Sequence, residues 1–243
     1  MSAVKQNSAV HDFIVNVTSN IVANLAVLLI VAVVAFFSRS KLRNFVRVVR
    51  YAWRMNKNDI INFYNSRAEY VTSRRERTLP DYMQRAKRRF VYVGFYLAGA
   101  TERDRIDGAI TEMLDRGCEI EIAMLDPNAA PGIIHAVEQH LAIANGTLAQ
   151  VLRHAHDHFL TLRQGLSTAA ANRFVIKLHN VPLVSSAMLI DEGEADGRLL
   201  VDNKIHGAGR DRSFGIEFRL NQEADGLAKD FAESFKRIAA TAR

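Results

Sequence analysis

The 243-residue chain has one cysteine, Cys118, so no disulfide framework exists and a reducing compartment fits. It lacks internal repeats, Pro/Gly/Ser-rich linkers and a Walker loop, which sets aside solenoids and P-loop nucleotide hydrolysis. Cys118 lies in "GCEIEIAML", a buried-strand pattern, and is expected to be a small core residue rather than a reactive thiol. Charge is nearly absent from the first 38 residues, where Lys5 is balanced by Asp12. From Arg39 to Arg89, by contrast, 15 Lys/Arg face 4 Asp/Glu, a net of +11, and residues 90–243 carry −5. A basic block therefore separates an uncharged segment from a mildly acidic domain.

The uncharged segment is "FIVNVTSNIVANLAVLLIVAVVAFF", Phe13 to Phe37, 25 residues long. At about 1.5 Å per residue it is long enough to span a hydrocarbon core about 30 Å thick. A cleaved signal peptide would carry its positive residues before the apolar run, yet only Lys5 precedes and "SRSKLRNFVRVVR" follows. The expectation is a retained single-pass membrane helix. The basic flank would be cytoplasmic and residues 1–12 outside. Asp12, Asn16, Asn20 and Asn24 recur every four residues and form a polar stripe along the outer half of that helix. Amides are costly against lipid, so the stripe is expected to face a second helix of a homo-oligomer or to line an aqueous pore built from several copies.

In "RSKLRNFVRVVRYAWRMNK", Leu42, Val46, Val49 and Trp53 mark the apolar side of a basic helix suited to anionic membrane lipid, with a nucleic-acid surface as the alternative. The helical pattern continues through Ile60, Phe63, Tyr64 and Tyr70, giving a connector over 38–78. Thr78 stands as a candidate cap before Leu79–Pro80.

From residue 79 on, the pattern alternates. "RFVYVGFYL" reads as a strand covered on both faces, "ERDRIDGAITEMLDRG" as a helix stopped by Gly117, and "CEIEIAML" as a strand. Residues 132–170 are mainly helical. "NRFVIKLHN", "SSAMLIDEG" and "SFGIEFRL" read as further strands and "EADGLAKDFAESFKRIAATAR" as a closing helix. The expectation is an α/β domain with a mostly parallel sheet. "HAHDH" places His154 and His158 on one helix face with His156 turned away. Without further ligands in view, a solvated helix surface is expected and no metal or other cofactor.

"RAKRRFVYVGFYLAG", "MLDRGCEIEIAMLDP", "SSAMLIDEGEADGRLLV" and "RDRSFGIEFRL" resemble, in order and pattern, a phospholipase D-like domain over residues 79–243. The signature of that family is His-x-Lys, four residues, then Asp. Histidine attacks phosphorus and lysine neutralises the phosphate oxygens. With Asp191 as the motif aspartate, Val184 takes the histidine position and Ser186 the lysine position. His179 has Val181 two residues later, "NKIHGAG" offers Lys204 and His206 in reverse order, and the Asn expected after the second motif is absent from "SFGIEF". The resemblance therefore implies a degenerate domain with no catalytic residues.

Such a fold can still bind phosphates. The candidates are Tyr96 after the first strand and Lys204, His206, Arg210 and Arg212 in "NKIHGAGRDR", where Gly207 and Gly209 let backbone amides approach an anion. The layout, one spanning helix, a basic neck and a ligand-type domain, resembles membrane effectors of bacterial anti-phage nucleotide-signalling systems, such as the Hailong transmembrane effector. That likeness implies a nucleotide or short-oligonucleotide ligand, a nucleotidyltransferase partner and a gated pore. A membrane-anchored phosphodiesterase or phospholipase using His206, and a passive tethered binding module, are the alternatives.

Overall fold

The computed structural model describes residues 46, 49–50, 59–64, 79–97, 103–208 and 213–243. The chain divides into two compact units, Met1–Arg54 and Met55–Arg243. Of the first, Val46, Val49 and Arg50 are described, all helical and exposed. The expected membrane helix, its stripe of Asp12, Asn16, Asn20 and Asn24, and most of the basic connector lie outside the described residues. Among those described, no helix is long and apolar enough to cross a membrane.

The second unit is a mixed α/β domain on one seven-stranded sheet. Its strands are β1 (Ile60–Tyr64), β2 (Arg89–Gly94), β3 (Glu119–Leu125), β4 (Phe174–His179), β5 (Ser185–Ile190), β6 (Arg198–Lys204) and β7 (Ser213–Arg219), in the spatial order β1-β7-β6-β5-β2-β3-β4. The helices are α1 (Leu79–Met83), α2 (Arg103–Asp115), α3 (Pro131–Leu141), α4 (Leu148–Gln164), α5 (Thr168–Ala171) and α6 (Leu227–Thr241).

The sheet is not mostly parallel as the alternation implied. β2-β3 and β3-β4 are parallel, while β2-β5, β5-β6, β6-β7 and β7-β1 are antiparallel. The reason is connection length. A helix returns the chain between β2 and β3, and three helices do so between β3 and β4. No helix separates β5, β6 and β7, so these neighbours turn back on themselves.

Two further expectations change. "RLLVDNK", not among the expected strands, is β6, so Lys204 ends a strand. Ile60–Tyr64, taken as helix, is β1 on the sheet edge; Ile60, Phe63 and Tyr64 share a helical spacing, but the run is short and the pairing with β7 decides it.

Two cores flank the sheet because strand side chains alternate. One face carries Phe90, Tyr92, Ile120, Ile122, Phe174 and Met188 and packs under α1 to α5; the other carries Val91, Val93, Ala187, Leu189, Val201 and Phe218 and packs under α6. β2 lies buried between them. Each large apolar side chain fully buried this way contributes roughly 1.5–3 kcal/mol. Phe159 of α4 meets Phe174 edge-to-face at 6.3 Å. Cys118 is fully buried in the first core, as expected, and burial pushes its thiol up to about 11.

Local termini follow from the sequence. Pro131 opens α3, and Glu138 of α3 caps the start of α4 by accepting from Leu148 N at 3.0 Å. Gly117 stops the chain after α2 at φ +89, as expected. At the sheet's β4 edge, Leu178 and Arg243 exchange backbone hydrogen bonds of 2.8 and 3.0 Å, which covers that edge with the C-terminus.

Candidate functional site

β5 runs through the middle of the sheet, and its two ends carry different chemistry. At its start lie Val184 and Ser186, and at its end lies Asp191. These are the three positions on which the phosphodiesterase resemblance turned.

Asp191 is buried and adopts φ +46, a left-handed conformation that Asp tolerates better than most residues. Its Oδ2 accepts from Lys87 N at 2.8 Å, and its Oδ1 accepts from Arg88 N at 2.8 Å and Arg89 N at 2.9 Å. Its own N–H donates to Arg89 O at 2.9 Å. The carboxylate thus satisfies three consecutive amides where the chain enters β2. It fastens one end of the sheet. Arg88–Glu194 and Lys87–Asp196 ion pairs surround it on the surface.

One strand pair further across, Glu217 of β7 is fully buried. Asn62 Nδ2 and Tyr64 Oη of β1 donate to it at 2.7 and 2.9 Å. Arg198 Nη1 of β6 donates at 2.8 Å and Tyr82 Oη of α1 at 3.4 Å, while Arg85 Nη1 lies 3.6 Å away. Burial alone would raise the acid's pKa; the hydrogen bonds from Asn62, Arg198 and Tyr64, with the Arg198 charge, together outweigh it and hold Glu217 below the ordinary carboxylate value. Burial first, and the Glu217 charge second, push the Tyr82 phenol well above its usual value, so it stays protonated and donates. This network pins β1 and α1 to the sheet.

The opposite end is built differently. Tyr96 and Lys204, two of the sequence candidates, line one small cavity with Tyr92, Ser186, Leu141 and Met188. Its volume, about 20 Å³, holds roughly one water. β2 and β5 approach closely there: a Cβ on Gly94 would sit 2.5 Å from Ser186 Cβ, so only glycine fits. Lys204 is not a solvated loop residue. It is buried and ion-paired with Asp202, which shares its face of β6. Ser213, its cross-strand partner on β7, is fully buried, and its Oγ has no hydrogen-bond partner among the described residues.

His206 lies two residues beyond Lys204, at the rim. Its Nδ1 is 3.2 Å from Nδ1 of His140, in the last turn of α3, and the rings are 5.4 Å apart. His140 Nε2 lies 3.3 Å from Val184 O, and Lys204 N donates to the same carbonyl at 3.1 Å. Val184, at the motif's histidine position, offers this end only its backbone oxygen, and its side chain is exposed. Ser186, at the lysine position, is buried. His179 ends β4, the strand at the sheet edge: its Nε2 donates to Gly94 O at 3.0 Å and its Nδ1 accepts from Val181 N at 3.2 Å. Burial lowers its pKa, against the opposing effect of the Gly94 carbonyl, so it stays neutral with both nitrogens committed. Among the described residues, no group at this end reproduces a phosphohistidine nucleophile with its lysine.

Tyr96, Lys204 and His206 are therefore brought to one end of the sheet, while Arg210 and Arg212 lie outside the described residues. His140 and Asp202 were missed. Asp202 was legible once β6 is recognised, since residues two apart share a strand face. His140 had no local signal, because α3 brings it there. In "HAHDH", His158 contacts Asp107 of α2 at 2.9 Å and His154 is exposed. Among the described residues no group of three or more His, Cys, Asp or Glu is placed to hold a metal ion.

No family model and no curated protein matches the sequence. Among solved structures, the chain is similar to TrmBL2, an archaeal chromatin protein with a novel mode of DNA binding, at 10% identity and TM-score 0.44, over 84% of this chain and 66% of that one. It is also similar to Nuc from Salmonella typhimurium, a phospholipase D family member, at 12% identity and TM-score 0.37, over 68% of this chain and 86% of that one. At these scores neither assigns a family.

Proposed function

We propose that the chain is a membrane-anchored effector whose α/β domain, phospholipase D-like but catalytically silent, binds a nucleotide or short oligonucleotide and gates an oligomeric transmembrane pore. Anti-phage defence, with a nucleotidyltransferase supplying the ligand, is the setting that the layout fits. The observation that carries the reading is that Tyr96 and Lys204, far apart in sequence, line one cavity with Ser186, while His206, two residues past Lys204, pairs with His140 beside it. The cavity holds about one water, so the ligand lies across its mouth and contacts the rim. Tyr96 offers a stacking face, and the His206 rim offers polar contacts to phosphate. Lys204 contributes less than an exposed lysine would, because Asp202 already balances it. For the ligand to gate anything, it must bind the open and closed states with different affinity.

The test is binding of short oligonucleotides to the full chain in detergent. We expect binding that weakens as salt rises, with at least a tenfold loss in Tyr96→Ala and His206→Ala. No binding at low salt, or binding indifferent to both substitutions, would sink the reading. Leu at Asn20 and Asn24 addresses the pore: unchanged ion flux would remove gating. Turnover of phosphodiester substrates, abolished in His206→Ala, would instead establish an enzyme.

A further inference from the structure

We propose that His140 and His206 form a two-histidine site for a first-row divalent metal ion of the Zn²⁺ or Cu²⁺ class. The inference rests on the imidazole geometry and is independent of the nucleotide reading.

Hydrogen bonding fixes the tautomer of His140. Val184 O can only accept, so His140 Nε2 carries the hydrogen, and in the neutral ring Nδ1 is left as a lone pair. That lone pair faces Nδ1 of His206 at 3.2 Å. Two nitrogens bound to one tetrahedral ion at 2.0–2.1 Å lie about 3.3 Å apart, so the pair is already spaced as ligands of a shared ion. A backbone carbonyl on the non-ligating nitrogen is the usual support of a metal-bound histidine, and Val184 O supplies it.

The backbone holds both rings in place. Gly207 N donates to His140 O at 3.0 Å, tying α3 to the turn after β6 without using either side chain. Gly207 adopts φ +68, which a β-carbon would strain, so the turn favours glycine there. The charge nearest in sequence, Lys204, is neutralised by Asp202 and does not oppose a cation. His206 is exposed and His140 half-buried, and together they bring two ligands. The remaining coordination positions are therefore left to water or to anionic oxygens, the open arrangement of a site that also takes an exogenous ligand. Imidazole nitrogens select Zn²⁺, Cu²⁺ or Ni²⁺ over the oxygen-seeking Mg²⁺ and Ca²⁺.

The experiment is competition for Zn²⁺ between the untagged full chain in detergent and a chromophoric chelator, with Mg²⁺ as the control ion. We expect one Zn²⁺ per chain and at least a tenfold loss of affinity in His140→Ala and in His206→Ala. His206→Gln, which keeps a polar contact, should lose the ion equally, while His135→Ala and His154→Ala should retain it. Absence of Zn²⁺ binding, or affinity unchanged by removing either ring, would overturn the site and leave an ordinary hydrogen-bonded histidine pair. Oligonucleotide binding to chelator-treated protein separates the two proposals, since a purely nucleotide-binding rim would survive chelation.

Discussion

The two ends of the sheet use polar residues in opposite ways. At the Asp191 end and in the middle of the sheet, polar groups are consumed by the fold: Asp191 holds three amides, and Glu217, level with Met188, holds Asn62, Tyr64, Tyr82 and Arg198. At the other end, Asp202 and Lys204 are ion-paired below the surface, and the rim is left to the half-buried His140 and the exposed His206. The lesson is that an aspartate at the position a motif would give it need not mark a site. Asp191 is committed to the amides at one end of the sheet, while the far end of the same strand carries Val184 and Ser186.

The contrast can be broken most forcefully at Glu217. Glu217→Ala leaves Arg198 without its buried partner and should cost about 3–5 kcal/mol of stability in chemical denaturation. A loss comparable to an ordinary surface change would show that the network is not what pins β1 and α1.

Asp191→Ala comes next, at roughly 2–4 kcal/mol, since three amides lose a charged acceptor and alanine is strained at φ +46. Asp191→Asn keeps the left-handed preference and one acceptor and should cost about half as much. Neither change should alter Zn²⁺ affinity in protein that remains folded. If they did, the two ends would not be separable.

A pH titration sharpens the comparison through His179. Its pKa is lowered in the folded state, so the unfolded chain binds the proton more readily. The stabilisation from keeping it neutral is present above about pH 6.5, the unfolded value, and is lost as pH falls through the folded value. Denaturation midpoints should therefore fall on acidification below about pH 6.5, and fall less in His179→Gln. An equal slope in both proteins would contradict the buried, neutral assignment.

The smallest effect belongs to the rim. His140→Ala and His206→Ala should change stability by no more than about 0.5 kcal/mol, while abolishing metal affinity. A large loss of stability in either would move the histidines from the functional end to the structural one.

Much of the fold was legible in the chain. The apolar runs at 89–97 and 119–125, the helix stopped by Gly117 and the closing helix follow from periodicity that needs no partner. What failed was pairing. "RLLVDNK" ends in three polar residues, and they look like loop until Asp202 and Lys204 are seen to neutralise each other on one face. Ile60–Tyr64 fits a helical spacing until β7 supplies its hydrogen bonds. The candidate site was half legible for the same reason: Tyr96, Lys204 and His206 follow strand ends, but His140 arrives from a helix 66 residues away.

The sequence alone determined the alternation of elements, the charge partition along the chain and the absence of a His-x-Lys pair before Asp191, because these depend on residue type and local spacing. Only the tertiary structure decided that the sheet is mixed, that Asp191 holds the three amides leading into β2, and that His140 faces His206. Each of those depends on which strands and helices become neighbours, and contacts between residues distant in sequence are set by packing rather than by local spacing.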